Sequence, residues 1–220
     1  MSRQARIVLP GELHHITQRG NYRQRVFFDD QDRAVYLKYL DFNAKKYGVL
    51  IYAFCLMDNH VHFLVKPIKA ESLAKTFRIT HQRYSLYLNN RLNEYGHRWQ
   101  SRYYSCVVLG THIPTAVRYV EQNPVRARMV ACAWHYPWSS AKAHTGKKYK
   151  IIALADIKEY VNIDSWKDFL SREELEEDLK VIRITTKQGR IYGPSDIIEH
   201  WQNRFKQKLT FQPKGRPRSH

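Results

Sequence analysis

The amino-acid sequence predicts an α+β protein built on one antiparallel sheet. Segments rich in β-branched and aromatic residues alternate along the chain with segments whose apolar residues recur at helical spacing. Glycines, prolines and acidic residues stand between these segments, where turns and helix ends are expected. These two observations divide the chain up to residue 146 into alternating strands and helices.

The first strand is predicted at residues 13–20, where LHHITQRG has a β-rich centre and ends at a glycine. A helix is expected to begin at Asp29 and Asp30 and to end at Gly48, because acidic residues favour a helix N-terminus and glycine favours a helix end. The run VLIYAFCLM at 49–57 is almost entirely apolar, which indicates a strand buried on both faces.

A second strand is predicted at 60–67, where it ends at Pro67, and a long helix follows over 71–93. Another strand is predicted at 102–110, and the next helix begins near Thr111 and runs through the NPVRA segment. The order β-α-β-β-α-β is that of ferredoxin-like folds, in which helices pack on one face of an antiparallel sheet. We therefore expect this fold, followed by a tyrosine-bearing helix.

Composition changes after residue 146, which predicts a main domain at 1–146 and a small helical C-terminal appendage at 147–220. The segment SREE at Ser171 predicts a capping box in front of a helix. A last helix is expected from Ser195 to Phe205. The final residues, QPKGRPRSH, are rich in proline, glycine and arginine and predict a flexible basic tail.

Charge is the most informative feature of the composition. The 220 residues include 37 Lys and Arg against 20 Asp and Glu, which gives a net charge of +17. A field of this sign attracts polyanions, and nucleic acid is the commonest of these inside cells. Solubility alone rarely needs a net charge beyond about 2–8. The composition therefore favours a nucleic-acid partner over an anionic membrane surface.

The cysteine spacing and the hydropathy bear on three other classes of protein: disulfide-rich, zinc-binding and membrane-spanning. Cys55, Cys106 and Cys132 are widely spaced and predict neither a disulfide framework nor a thiolate zinc site. No apolar run approaches the ~20 residues that span a bilayer, so no membrane association is expected. A cytoplasmic, nucleoid-associated location is the prediction.

The segment MDNHVHFLV at 57–65 carries the sharpest local signal. Residues two apart on a strand point the same way, so His60 and His62 share one face while Val61 and Phe63 share the other. Two adjacent imidazoles can begin a metal site, although an H-x-H pair also arises by chance. A third ligand is therefore required.

The segment RYVEQNPVRA at 118–127 offers that ligand. Tyr119 and Asn123 are four residues apart, about one helical turn, and project from the same side. Imidazole and amide ligands with open water positions suit Mg²⁺ or Mn²⁺ better than a closed zinc site. Gln122 is the competing ligand, and Pro124 is expected to end or kink the helix there.

Several longer motifs carry a family resemblance. They are HHITQRGNYRQRVFFDDQDR at 14–33, LMDNHVHFLV at 56–65, WQSRYYSCVV at 99–108, RYVEQNPVRA at 118–127 and HYPWSSAKAH at 135–144. In this order they resemble the HUH superfamily of single-tyrosine transposases, and within it the REP-associated tyrosine transposases of the IS200-like family. The likeness covers residues 5–146. The chain departs from the family pattern at Glu121 and Gln122, where a histidine or apolar residue is usual, and at Arg128, where glycine is usual.

The resemblance implies a metal-dependent endonuclease and strand transferase that acts on single-stranded DNA beside hairpin-forming palindromes. It assigns the role of nucleophile to Tyr119 and implies a Mg²⁺ or Mn²⁺ ion held by His60, His62 and Asn123. Attack by Tyr119 would leave a 5′-phosphotyrosine and a free 3′ hydroxyl, which keeps the energy of the phosphoester for rejoining. The resemblance also implies that the protein acts as a monomer.

Candidate DNA contacts form three groups. The resemblance implies that Arg19, Asn21 and Arg23 hold the bases at the foot of the hairpin. Other basic residues are candidates for phosphate contacts, namely Arg78, Arg83, Arg102 and Arg126. The tail around Arg216 resembles a minor-groove arm, and a solubilising tail is the alternative.

Two other functions fit part of the sequence. A domesticated protein could bind DNA hairpins without cutting them, although binding alone needs neither the H-x-H pair nor Tyr119. A metal-dependent phosphodiesterase could attack with water, and Tyr119 would then be dispensable. Residues 147–220 contain no convincing ligand set, so we expect them to assist binding rather than chemistry.

Overall fold

A mixed sheet forms the centre of the molecule, and its strands are connected in the predicted order. The computed structural model describes residues 6–147 and 149–205. Within them the sheet has the order β2-β3-β1-β4-β5, with β5 parallel to β4 and the other neighbours antiparallel. The strands are Leu13–Arg19 (β1), Val49–Met57 (β2), His60–Pro67 (β3), Tyr104–Val108 (β4) and Ile191–Tyr192 (β5).

The helices confirm the α+β class and the ferredoxin-like order of the first six elements. They are Asp30–Tyr47 (α1), Ser72–Leu92 (α2), Ile113–Glu121 (α3), Asn123–Arg126 (α4), Ala141–His144 (α5), Trp166–Ser171 (α6), Glu176–Gln188 (α7) and Ser195–Phe205 (α8). None of the helices in the described ranges is both long and apolar enough to cross a bilayer.

The ends of α1 follow the predicted chemistry. The Asp29 carboxylate accepts a hydrogen bond from the backbone N–H of Asp32 at 3.0 Å, which satisfies one of the free donors at the start of the helix. Gly48 ends the helix with φ of 70°, a left-handed conformation that glycine adopts without steric cost. The helix therefore spans the predicted residues.

The first face of the sheet is an apolar core covered by α1 and α2. Phe63 of β3 contacts Phe77 of α2, with ring centroids 5.6 Å apart, and Tyr36 of α1 at 6.2 Å. All three rings are fully buried, as is Ile16 of β1. This is the predicted layer of helices on one face.

The opposite face of the sheet is covered by α3 and α7. His62 of β3 contacts the Tyr119 ring of α3, and Cys106 of β4 contacts Thr186 of α7. Neighbouring residues on a strand point to opposite faces. His62 therefore faces α3, and Phe63, the next residue of β3, faces α2 on the other side of the sheet.

The C-terminal part differs from the sequence prediction in three details. Ser171 does not cap a following helix; it ends α6, and its hydroxyl donates to the Lys167 carbonyl at 2.8 Å. Helix α7 begins at Glu176 instead, with three acidic residues in its first turn, which stabilise a helix N-terminus. Strand β5 and helix α6 were not predicted, because two and six residues are too short to show a period. The predicted tail lies outside the described residues.

Candidate active site

A cleft of about 500 Å³ opens on the face of the sheet that α3 and α7 cover. The four residues predicted for chemistry all line it: His60 and His62 from β3, Tyr119 from α3 and Asn123 from α4. Strand β3 and the consecutive helices α3 and α4, which are far from β3 in sequence, thus bring the imidazoles, the phenol and the amide together.

Each of the two β3 histidines has a hydrogen-bond partner at its Nδ1 atom. The Nδ1 atom of His60 is 2.6 Å from the Asn59 side-chain oxygen, and the Nδ1 atom of His62 is 3.0 Å from Nε2 of His15. Their ring centroids are 5.0 Å apart. An imidazole whose Nδ1–H donates to an acceptor leaves Nε2 unprotonated and able to bind a metal. Both rings therefore can present Nε2.

Burial keeps these imidazoles neutral. It lowers the pKa of His60 to about 4, with a smaller contribution from the charge of Arg19. Burial also lowers the pKa of His62 well below its usual value, and the neighbouring His60 and His15 act in the same direction. Neutral imidazole is the form that binds metals, so no proton has to be removed from either ring at neutral pH.

Tyr119 is almost completely enclosed beside the histidines. Its ring centroid is 5.5 Å from that of His62 and 5.3 Å from that of His15, both edge-on. The Arg126 guanidinium lies 4.6 Å from the Tyr119 ring centroid. Burial raises the pKa of the Tyr119 phenol, while the charges of Arg126 and Arg183 oppose that rise.

Asn123 and Gln122, the two candidates for third ligand, face different surroundings. The Asn123 amide nitrogen donates to the carbonyls of Tyr119 at 2.9 Å and Val120 at 3.2 Å. Its amide oxygen has no hydrogen-bond partner within the described residues, and the side chain lines the cleft. The Gln122 amide donates instead to the Leu170 carbonyl, away from the cleft. The break between α3 and α4 occurs at Gln122, next to Pro124 as predicted.

The donor set fits a divalent cation of the predicted kind. Among residues 6–147 and 149–205, no three His, Cys, Asp or Glu side chains form a group that could hold a metal. The set of His60, His62 and Asn123 falls outside that description because its third member is an amide. Two neutral Nε2 atoms and one amide oxygen on an open cleft leave room for water ligands, which Mg²⁺ retains in proteins.

Several residues that line the cleft were not predicted from the sequence, and four of them surround the candidate site from β1 and α7. His15 of β1 lies directly behind His62, and Arg183, Thr186 and Lys187 reach the cleft from α7. The pair of histidines in LHHIT was a visible signal for His15, since its position is on the same strand face as residues 17 and 19. No local pattern distinguishes the α7 residues from an ordinary solvated helix face.

The predicted DNA-contact residues separate into distinct surfaces. Arg19 and Arg23 line the cleft. Asn21, Arg78 and Arg102 line a second groove of about 800 Å³ between α2 and the segment 96–103. Gln100 lines both spaces, so the groove adjoins the cleft.

The remaining predicted DNA contacts are Arg126, Arg83 and Arg216. Arg126 lines the cleft, but its guanidinium pairs with Glu174 and donates to the Tyr119 carbonyl. Arg83 lies over the Phe42 ring at 5.9 Å and lines neither the cleft nor the groove. Arg216 lies outside the described residues.

Comparisons with known proteins identify the family of the chain and a solved structure with a similar fold. A family model described as "Transposase IS200 like" matches residues 12–123. A search of curated proteins found no match. A solved REP-associated tyrosine transposase bound to a REP hairpin is similar in fold, with a TM-score of 0.56 and 16% identity, covering 75% of this chain and 96% of that one. A putative transposase from Deinococcus radiodurans R1 has a TM-score of 0.38 and 16% identity, covering 58% of this chain and 92% of that one.

Proposed function

This chain belongs to the IS200-like transposase family, and from that premise we propose that it cuts and rejoins single-stranded DNA beside hairpin-forming palindromes. Family membership makes it a DNA-acting transposase. The observation that carries the finer proposal is the convergence of His60, His62, Tyr119 and Asn123 on one cleft.

Tyr119 is the proposed nucleophile. Its phenolic oxygen attacks the scissile phosphorus as the phenolic proton leaves to solvent, and the bond from phosphorus to the 3′ oxygen breaks. The departing oxygen takes up a proton and becomes a free 3′ hydroxyl, while the 5′ phosphate stays on Tyr119. A second 3′ hydroxyl can reverse the step and rejoin DNA, because the covalent link retains the energy of the phosphoester.

His60, His62 and Asn123 are the proposed ligands of Mg²⁺ or Mn²⁺. When bound there, such an ion supplies Lewis-acid polarisation and orientation of the scissile phosphate. The protein's own contribution is to keep both imidazoles neutral and to place a hydrogen-bond partner at each Nδ1 atom, which leaves Nε2 available for a metal when Nδ1 carries the proton. The matched hydrogen bonds on the two Nδ1 atoms support this assignment.

Cations around the cleft are suited to hold the DNA backbone. Arg19, Arg23, Arg183 and Lys187 all line the space that Tyr119 faces. Arg126 has a different role in this proposal, because its guanidinium is already engaged by Glu174 and the Tyr119 carbonyl. It fixes the tyrosine helix, whereas Arg19, Arg23 and Lys187 contact phosphates. Arg183 pairs with Glu176 at 3.2 Å on the same helix.

The adjoining groove is the proposed path of the DNA next to the cut. Neither Arg78 nor Arg102 makes an ion pair with any described residue, and both line this groove. The similarity to a hairpin-bound REP-associated transposase supports a hairpin as the neighbouring element. A palindromic REP-like repeat is therefore the proposed substrate.

One chain supplies the whole candidate site, which supports action as a monomer. The Tyr119 and His62 rings of the same chain are 5.5 Å apart by their centroids. Mixing a His60→Ala/His62→Ala double variant with Tyr119→Phe tests this. Two inactive variants should stay inactive together, and restored cleavage would mean that subunits share their sites.

The central experiment follows covalent attachment of the protein to DNA. With a single-stranded hairpin substrate, labelled at either end, and Mg²⁺ or Mn²⁺, wild-type protein should stay attached through denaturing electrophoresis to the fragment that begins with the 5′ phosphate, on the 3′ side of the cut. Tyr119→Phe keeps the ring and deletes the hydroxyl, so it should give neither adduct nor cleavage. Tyr104→Phe is the matched control, because Tyr104 also lines the cleft.

The outcomes separate the rival functions. A Tyr119→Phe protein that still cuts and releases a free 5′ phosphate would indicate attack by water. Binding of the hairpin by both proteins, with no cutting by either, would indicate a DNA-binding protein derived from a transposase. Loss of the adduct in Tyr104→Phe but not in Tyr119→Phe would move the nucleophile to Tyr104.

A further inference from the structure

A third histidine stands behind the candidate metal ligands. His15 of β1 is fully buried, and its ring stacks on that of His62 with centroids 5.2 Å apart and planes within 6°. Its Nε2 atom is 3.0 Å from Nδ1 of His62, and its own Nδ1 is 2.7 Å from the Thr186 hydroxyl oxygen. Both of its ring nitrogens are therefore engaged inside the protein.

The hydrogen bonds that join His62, His15 and Thr186 can point in either of two directions, depending on which ring nitrogens carry protons. A neutral imidazole has one N–H donor and one acceptor nitrogen. If His62 is protonated on Nδ1, it donates to His15, and His15 must then donate from its own Nδ1 to Thr186. In the reverse direction Thr186 donates to His15, His15 donates to His62, and the proton of His62 lies on Nε2, facing the cleft.

Only the first direction leaves His62 able to bind a metal through Nε2. It requires an acceptor for the Nδ1–H group of His15, and the Thr186 oxygen is that acceptor. The Thr186 hydroxyl also contacts the Cys106 sulfur at 3.1 Å, so it has a second partner on the sheet. Without the Thr186 oxygen, His15 would bury an unpaired N–H group in this direction, which is costly.

Thr186 belongs to α7, in the part of the chain that the sequence analysis expected to assist binding only. Arg183 and Lys187, on the same helix, line the cleft. Helix α7 packs against β4 through Thr186 and Cys106. The C-terminal part thus contacts the candidate site from behind as well as at its rim.

We propose that His15 and Thr186 are positioning residues that hold His62 with Nε2 unprotonated toward the cleft. Thr186 anchors His15, and His15 fixes the orientation and tautomer of His62. Partners of metal-binding histidines act in this way in many metal sites, and their loss weakens metal affinity about 10–100-fold. The inference rests on the metal site of the proposed function.

Nitrogen NMR of the metal-free protein tests the relay directly, because the ¹⁵N shifts of His62 report which ring nitrogen carries the proton. Thr186→Val keeps the shape of the side chain and removes the oxygen. It should move the His62 population toward protonation on Nε2, and Mn²⁺ titration should show about 10–100-fold weaker binding. Thr186→Ser restores the hydroxyl and should retain both wild-type properties.

Thr185→Val is the matched control, because Thr185 is a buried threonine on the same helix whose hydroxyl is not part of the relay. Its His62 tautomer and Mn²⁺ affinity should equal those of wild type. An unchanged His62 tautomer in Thr186→Val, or an equal change in Thr185→Val, would overturn the relay. Failure of wild-type protein to bind Mn²⁺ would instead refute the metal site, which the tautomer measurement does not depend on.

Discussion

The two faces of the sheet carry opposite chemistry on the same strand. On β3, Val61 and Phe63 point into the core beneath α1 and α2, whereas His60 and His62 point toward α3 and α7. Both sets are covered by helices, so burial alone does not distinguish them. The first face is packed mainly with aromatic and aliphatic side chains, and its buried Tyr36 hydroxyl and His81 imidazole lie 3.0 Å from each other. The second face turns its imidazoles and the Tyr119 phenol toward an open cleft.

This difference shows that alternation along a strand lets stability and chemistry be changed separately. A substitution on the apolar face should lower the free energy of unfolding and leave the chemical step intact. A substitution on the polar face should do the reverse. The first two predictions below test the two sides of that division on β3, and the next two concern helix α3 and the DNA groove, from the largest expected effect to the smallest.

His62→Ala should reduce cleavage about 1000-fold, because a metal contributes several kcal/mol to stabilising a phosphoryl transition state. Hairpin binding should persist, since phosphate contacts supply most of the affinity. Cleavage assays with Mg²⁺ or Mn²⁺, together with filter binding in EDTA, measure both properties. Near-normal cutting by His62→Ala would show that His62 is not needed for cleavage.

Phe63→Ala, one residue along the strand, should lower the free energy of unfolding by about 3–5 kcal/mol, because it leaves a cavity among the buried rings of Phe77 and Tyr36. Urea denaturation followed by circular dichroism measures the loss. The milder Phe63→Leu variant should fold and cut DNA at a rate close to wild type. A stable Phe63→Leu protein that cannot cut would show that the two faces are not separable.

Glu121→Gln tests how the polar side holds the tyrosine helix. The buried Glu121 carboxylate accepts hydrogen bonds from Ser140, from His144 at 2.7 Å and from Trp166 at 2.8 Å. An amide in its place presents a donor to these donors, so the variant should lose about 1–3 kcal/mol of stability. Thermal or urea unfolding measures this, with the exposed Glu177→Gln as the control. Equal stability of Glu121→Gln and wild type would contradict the network.

Arg78→Ala and Arg102→Ala should have the smallest effects. Each should weaken hairpin binding several-fold and lower the slope of log affinity against log salt by about 1, as expected for one lost phosphate contact. Stability and the chemical step should not change. Arg83→Ala is the matched control, because Arg83 lies outside the groove. An Arg83→Ala effect as large as the other two would make the groove irrelevant to DNA binding.

Local periodicity was enough to predict the fold class and the residues whose neighbours are near in sequence. The period of two on β3 predicted that His60 and His62 share a face, and the helical turn predicted that Tyr119 and Asn123 do so. Whether these residues bind a metal and cut DNA stays a prediction.

Contacts between residues that are far apart in sequence could not be predicted from such patterns. Thr186 meets His15 across 171 residues of sequence, and no period relates them. Glu121 stood out in the sequence only as a departure from the family pattern. The structure explains that departure, because the donors of Ser140, His144 and Trp166 surround a carboxylate at this position.

The two-residue strand β5 has a consequence for how the chain is made. It pairs with β4 through Val107 with Ile191 and Val108 with Tyr192, so the outer edge of β4 stays uncovered until residues far along the chain have been synthesised. An uncovered strand edge offers unpaired N–H and C=O groups to any other extended chain. A chain that ends before Ile191 should therefore aggregate more readily than the full-length chain, because the edge of β4 then stays open.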